Sequence, residues 1–283
     1  MRIRDYLHCI LLGVILLAGC GNTERTDEGE TYTPASAARV VTHKAENENT
    51  LDHKPQQSGI PEGARKLMEA YPDAGITYED NCIVVNGERI VYDDGKEKTF
   101  LQKLDNCDVE DMFSMIYDTQ ATTPAYLNDA GRGRCEQLFK AMYGHNAREV
   151  SKNLVIVEWF GQKLKFTKVN GANRQLEKVA QELSNKPHLA KYFTQSSTFY
   201  WRKVRGANRQ SAHSYGMTID INVANSDYWL WANPRKSETD NIKYKNRIPH
   251  EIVKVFEKHG FIWGGRWYHY DTMHFEYRPE LLQ

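Results

Sequence analysis

The stretch Ile83-Val84-Val85-Asn86-Gly87-Glu88-Arg89-Ile90-Val91 limits the folds open to this chain more than any other. Two β-rich runs flank an Asn-Gly pair, and Asn-Gly tolerates the positive φ of a tight hairpin turn. A second hairpin is predicted from Leu154 to Phe160 and Lys163 to Phe166, turning near Gly161. Helical patterns surround these hairpins. Pro61 suits the first turn of a helix through Leu67 and Met68. Val109 to Tyr117 after Asp108, and Cys135 to Tyr143, also read as helices. Over residues 172–184, Leu176, Val179, Ala180 and Leu183 share one helical face. Thr198 to Val204 and Met217 to Val223 read as strands. Pro249 opens a helix with Ile252, Val253 and Phe256 inward, and Gly260 stops it. A strand at Met273 to Tyr277 ends the domain. Strands and helices do not alternate as a parallel sheet requires, so the fold class is α+β. Gly171-Ala172-Asn173-Arg174-Gln175 recurs at Gly206 to Gln210, which is too short for a structural repeat and reads as two similar turns.

The ends set the compartment. Arg2 and Arg4 give a positive start, and Ile10 to Ala18 form an apolar run too short to span a bilayer. Leu17-Ala18-Gly19-Cys20 then resembles the bacterial lipobox, in which cleavage before the cysteine is followed by acylation. Residues 1–19 are thus expected to be a lipoprotein signal peptide and Cys20 the lipidated residue, since several acyl chains anchor durably. Residues 20–58 read as lipidated cysteine and polar tether. Residues 59–283 form the folded domain. The expected location is the bacterial cell envelope, as an exported lipoprotein facing the periplasm or the surface, with the outer membrane favoured. Export leaves Cys82, Cys107 and Cys135 in an oxidising space, where one disulfide plus one buried thiol is expected, with the pair left open. No Cys-x-x-Cys occurs, so these are not read as zinc ligands. The 37 Lys and Arg balance the 37 Asp and Glu, which gives no support to a nucleic-acid partner. Contact with a membrane is expected through the lipid only, and the sequence is silent on oligomeric state.

Two segments concentrate metal-competent side chains: Ser211-Ala212-His213-Ser214-Tyr215-Gly216-Met217-Thr218-Ile219-Asp220 and Trp267-Tyr268-His269-Tyr270-Asp271-Thr272-Met273-His274-Phe275-Glu276. A hydrolytic zinc site needs three protein ligands and an open position. It also needs a nearby carboxylate to take and return a proton. His213, Asp220 and His274 can supply two imidazoles and a carboxylate, and Asp271 the base. Asp220 falls between Ile219 and Ile221, so on a strand it points opposite to both. Gly216 eases a turn between loop and strand. Asp271 and His274 lie roughly 10 Å apart along an extended chain, so a bend near Thr272 is implied if both serve one site.

The pattern Ser211-x-His213-x-x-Gly216-x-x-x-Asp220, with Asp271-x-x-His274-Phe275, resembles the D-alanyl-D-alanine carboxypeptidase and L-alanyl-D-glutamate endopeptidase family. That family includes vancomycin-resistance carboxypeptidases and phage endolysins, and shares its zinc fold with Hedgehog signalling domains. Thr218 stands where the family usually has alanine. The resemblance is strong from about Thr198 to Leu281. It implies a small antiparallel sheet carrying one Zn2+ ion held by His213, Asp220 and His274, with Asp271 as base. It also implies an upstream arginine on the substrate carbonyl or oxyanion. A guanidinium suits that task by its fixed charge and planar fork. Arg202 is the choice here, with Arg205 and Arg209 as rivals.

With an envelope anchor, the implied substrate is a peptidoglycan stem peptide. D-Ala-D-Ala carboxypeptidase is slightly preferred over L-Ala-D-Glu endopeptidase. A lipoprotein that binds peptidoglycan without cutting it, or a closed structural zinc domain, are the rival classes. The presence of all four catalytic-type residues argues against mere binding, and the lack of a fourth ligand against a closed shell. Ser211 is read as a loop or substrate contact. His250-Glu251-Ile252-Val253 has Lys254 where a zincin needs its second His, so it reads as a polar helix start. His269 and Glu276 are candidates to orient the ligands from behind. Trp263, Trp267, Tyr268 and Tyr270 read mainly as core, with some free to wall a groove.

Overall fold

A computed structural model describes residues 59–283. The signal segment, Cys20 and the tether lie outside the described residues. The chain runs α1 (Glu62–Ala70), β1 (Thr77–Glu79), β2 (Cys82–Val85), β3 (Glu88–Val91), α2 (Phe100–Asp105), α3 (Glu136–Tyr143), α4 (Ala147–Ser151), β4 (Leu154–Trp159), β5 (Gln162–Thr167), α5 (Ala172–Ser184), β6 (Thr218–Asp220), α6 (Trp229–Ala232), α7 (His250–Lys258), β7 (Phe261–Trp263) and β8 (His274–Tyr277). The fold is α+β, as the irregular order of elements predicts. The strands form an antiparallel β1-β2-β3 meander, the β4–β5 hairpin and an antiparallel sheet in the order β6-β8-β7.

Both predicted hairpins form. Asn86 takes φ 52° and Gly87 φ 81° at the first turn, as a positive-φ hairpin requires. Helices α5 and α7 bury the predicted faces. Leu176, Val179 and Leu183 from α5, and Ile252, Val253 and Phe256 from α7, are fully buried and join Phe275 of β8 in one core. Phe256 stacks on Phe275 with centroids 3.9 Å apart. This packing gives β8 a rigid back, so its other face can carry chemistry.

Three expectations need correction. The helix predicted over Val109 to Tyr117 shrinks to one 3-10 turn, Glu110–Phe113. Asp108, one residue ahead of its N-cap Val109, accepts the Asp111 N–H at 2.9 Å. However, Asp108 and Asp111 are also drawn onto the buried Lys98 ammonium, at 2.8 and 2.5 Å, and Ile116 turns out to solvent. Tertiary ion pairing overrides the local helical pattern there. Thr198 to Val204 forms no strand; its one isolated bridge is Lys203 with Gln210, and Ser197 just before it bridges Asp220. Its backbone bonds go to the loop that carries His213 instead of to a strand ladder. Finally, no disulfide forms among the described residues. Cys82, Cys107 and Cys135 are all free, and the Cys107 thiol turns to the Asp108 carbonyl at 3.2 Å. Burial pushes the Cys107 and Cys135 thiols up, the latter to about 11.

Candidate metal centre and its cleft

Strand register does the first part of the assembly. Asp220 of β6 pairs directly with His274 of β8, and Ile219 with Phe275. Side chains alternate along a strand. Ile219, Ile221 and Phe275 therefore enter the core, while Asp220 and His274 share the opposite face. His213 arrives from the single turn Ala212–Tyr215, which Gly216 ends at φ 68°. The positive φ demands glycine, and a Cβ there would also push the Leu154 side chain of the β4–β5 hairpin, whose Cδ2 would lie 2.5 Å away.

The three side chains converge. His213 Nε2 lies 3.1 Å from Asp220 Oδ2, His274 Nδ1 lies 2.9 Å from Asp220 Oδ1, and the two ring nitrogens are 3.2 Å apart. Each imidazole is oriented from behind. His213 Nδ1 bonds the Thr198 carbonyl at 2.6 Å, and His274 Nε2 bonds Glu276 Oε1 at 2.9 Å. Outer partners of this kind fix the tautomer and turn the remaining nitrogen inward. The inward donors are two imidazole nitrogens and a carboxylate within 4.8 Å of one another. That set suits zinc. Burial opposes a charge on His274, but Asp220 and Glu276 on its two nitrogens raise its pKa to about 10. The same pair of imidazoles holds the Asp220 carboxyl far below its ordinary range despite burial.

Asp271 precedes β8 by a tight turn, in which the His274 N–H donates to the Asp271 carbonyl at 3.2 Å. The bend expected near Thr272 is pinned twice. The Trp263 indole donates to the Thr272 carbonyl at 2.8 Å, and Thr272 Oγ1 accepts the Asp227 N–H at 2.7 Å. Gly264 accepts the Asp271 N–H at 3.0 Å, and a Cβ there would sit 2.5 Å from the Asp271 carbonyl. Asp271 Oδ1 is buried without a partner among the described residues. Burial, then the charge of Asp220, raises its pKa to about 7. A carboxyl in that range can exchange a proton at neutral pH.

These groups line a cleft of about 430 Å³. Its walls include Tyr228, Trp229, Trp231, Trp267 and five arginines, Arg132, Arg134, Arg202, Arg205 and Arg209. Residues 205–277 match the family model described as D-alanyl-D-alanine carboxypeptidase. That match supports a metallopeptidase. The carboxypeptidase match takes in His213, Asp220, Asp271 and His274, and leaves Arg132, Arg134 and Arg202 outside it. Comparison with curated proteins and with solved structures gives no match.

The arginines are where sequence and structure diverge most. Arg202, Arg205 and Arg209 do reach the cleft, but Arg202 and Arg205 are exposed at its rim. Arg202 donates from Nη1 to the Lys203 carbonyl at 3.3 Å, while Arg209 pairs with Asp105 at 2.6 Å. Arg132 and Arg134, not singled out in the sequence, come from a distant loop and penetrate deeper. Arg134 Nη1 lies 3.2 Å from Glu276 Oε1, the carboxylate behind His274. Arg132 is clamped by Asp129 and Glu238 and acts electrostatically on Asp271. The only sequence signal was Gly131-Arg132-Gly133-Arg134, two cations in a glycine-punctuated loop ahead of α3.

Other candidates fall into place. Glu276 touches His274 as expected, but His269 touches no candidate ligand and binds Asp129 instead. Asp129, Glu238 and His269 form a second group of close donors, with the Arg132 guanidinium already between the carboxylates. Glu251, at the start of α7, pairs with Lys186 and with His188, as befits a polar helix start. Trp263 and Tyr270 are core, and Trp267 walls the cleft. Thr218 is fully buried with its hydroxyl unpaired among the described residues, a small cost at the position where the family has alanine.

Proposed function

We propose that this chain is a zinc-dependent peptidase that cleaves peptidoglycan stem peptides, with release of the terminal residue from D-Ala-D-Ala as the first reading. The observation that carries it is the convergence of His213 Nε2, Asp220 Oδ and His274 Nδ1 in a cleft that Asp271 also lines, with its Oδ1 buried and unpartnered among the described residues. A zinc ion held by those three atoms would supply Lewis acidity and lower the pKa of water to about 7. Asp271 Oδ1 takes the proton of the attacking water and returns it to the leaving amine. Its raised pKa matches it to both transfers near neutrality. Glu276 holds the His274 ring in place, and Arg134 holds Glu276. Arg134 thus serves the site from behind, whereas Arg202 stays the candidate for direct contact with substrate.

Arg202 and Arg205 have no carboxylate partner among the described residues, so they are free to receive an anion at the rim. A free C-terminal carboxylate is the natural occupant, which favours a carboxypeptidase over an endopeptidase of the L-Ala-D-Glu bond. The lipobox at Cys20 would tether the enzyme to the envelope, within reach of its polymer. Digestion of purified sacculi followed by mass spectrometry of the muropeptides tests the reading. Release of D-Ala supports the carboxypeptidase, cleavage within the stem supports the endopeptidase, and intact muropeptides refute both.

A further inference from the structure

One polar group in the cleft is used neither by the zinc site nor by Asp271. His269 is 1 % exposed, lines the cleft, and its Nε2 is buried with no hydrogen-bond partner among the described residues. A buried ring nitrogen without a partner is costly and uncommon. The rest of the ring is over-determined. Nδ1 lies 2.6 Å from Asp129 Oδ2, and the His269 backbone N–H donates to Asp129 Oδ1 at 3.0 Å. Phe100 of α2 stacks on one face at 5.7 Å, and Trp229 of α6 meets the ring edge-on at 4.7 Å. Asp129 is itself fully buried and held by Arg132 at 2.5 Å. The Asp129 loop, α2 and α6 therefore fix the plane and orientation of this imidazole, and leave one nitrogen of a cleft-lining residue without a partner among the described residues.

A carboxylate at Nδ1 selects the tautomer with its proton on Nδ1, so Nε2 presents a lone pair. An acceptor so placed suits a peptide N–H. Asp271 lies two residues further along the same loop and lines the same cleft.

We propose that His269 is a substrate-binding residue whose Nε2 accepts a backbone N–H of the stem peptide, oriented for that task by Asp129. This rests on the peptidase reading above. It gives the enzyme a peptide-specific contact separate from the metal and from the rim arginines. The Asp129–Arg132–Glu238 network then has a purpose beyond stability, since it sets the tautomer of a recognition group.

The test uses the full chain loaded with zinc and a synthetic stem pentapeptide ending in D-Ala-D-Ala. His269→Asn keeps a donor near the Nδ1 position for Asp129 but ends short of Nε2. The expected result is a KM raised about tenfold or more with kcat within about twofold, the pattern of a lost ground-state contact. His269→Gln, which returns an acceptor near the Nε2 position, should recover part of the affinity. An unchanged KM in His269→Asn, or a loss confined to kcat, overturns the proposal. Should the variants fail to fold, 15N-histidine NMR of the wild-type chain decides. The Nε2 resonance of His269 must move when the product tetrapeptide is added, and a stationary resonance overturns the assignment. A wild-type chain inert toward both pentapeptide and sacculi sinks the peptidase reading and this proposal together. An active wild type with an indifferent His269→Asn sinks the role of His269 alone.

Discussion

Glu276 offers the sharpest check on how this site is held together. Its side chain is 1 % exposed and meets three charged partners: His274 Nε2 at 2.9 Å, Arg134 at 3.2 Å and Arg278 at 3.4 Å. Burial opposes the carboxylate, but Arg134, His274 and Arg278 together lower its pKa from 4.5 to about 2. A folded pKa below the unfolded one means stability that is present above pH 4.5 and lost as pH falls toward 2. Taken over that shift, the coupling is worth about 3 kcal/mol. Glu276→Gln removes the charge and leaves the buried Arg134 guanidinium without its carboxylate, while Arg278 keeps Glu280. Breaking a buried pair on one side costs about 3–5 kcal/mol. For a domain of this size that is a fall in Tm of roughly 6–20 °C at pH 7. Thermal melts by circular dichroism at pH 7 and at pH 3 read both parts. The wild type should lose much of its advantage over the variant at pH 3, where its own carboxylate is being protonated in the unfolded chain. The reasoning is refuted if Glu276→Gln melts within about 2 °C of wild type at pH 7, or if the gap does not narrow in acid.

Other outcomes follow from the same geometry. Asp271→Ala should keep zinc and melt near wild type while hydrolysis falls by about 10²–10⁴, the usual share of a general base; full activity would remove Asp271 from the reaction. Zinc must displace the proton that the raised pKa keeps on His274. Affinity measured by chelator competition should therefore tighten by about tenfold per pH unit between pH 6 and 8, and a flat profile would contradict the ring's placement between Asp220 and Glu276. Gly264→Ala sets a Cβ against the Asp271 carbonyl, a backbone atom that cannot swing aside. It should depress kcat by displacing Asp271, and a normal kcat would show that the turn has slack. Gly216→Ala, strained by φ 68° and by Leu154, should destabilise by about 1–3 kcal/mol in urea titration and loosen His213.

Much of this molecule was legible in its sequence for local reasons. The Asn86-Gly87 turn, the apolar face of 172–184 and the Pro249 to Gly260 helix depend on neighbours within a few residues, and each forms where the pattern puts it. The alternation Ile219-Asp220-Ile221 alone implied that Asp220 faces away from the core. The bend at Thr272 followed from spacing, once Asp271 and His274 were asked to serve one site. The helix at Val109 to Tyr117 failed because its carboxylates are claimed by Lys98, ten or more residues away, and local periodicity cannot weigh that pairing.

The sequence by itself determined which side chains could do the chemistry: two histidines and two aspartates in two short segments, with the glycine that lets one segment turn. Only the tertiary structure decided what surrounds them. The register of β6 on β8 sets Asp220 opposite His274. The loop before α3 brings Arg132 and Arg134 past the three arginines nearest in sequence. Asp129 reaches across 140 residues to fix His269. Which residues are candidate ligands depends on residue type and short spacing, which a sequence displays directly. The charges and hydrogen bonds that tune those ligands act through space at a few ångströms, and chain order does not record which distant residues fall within that range.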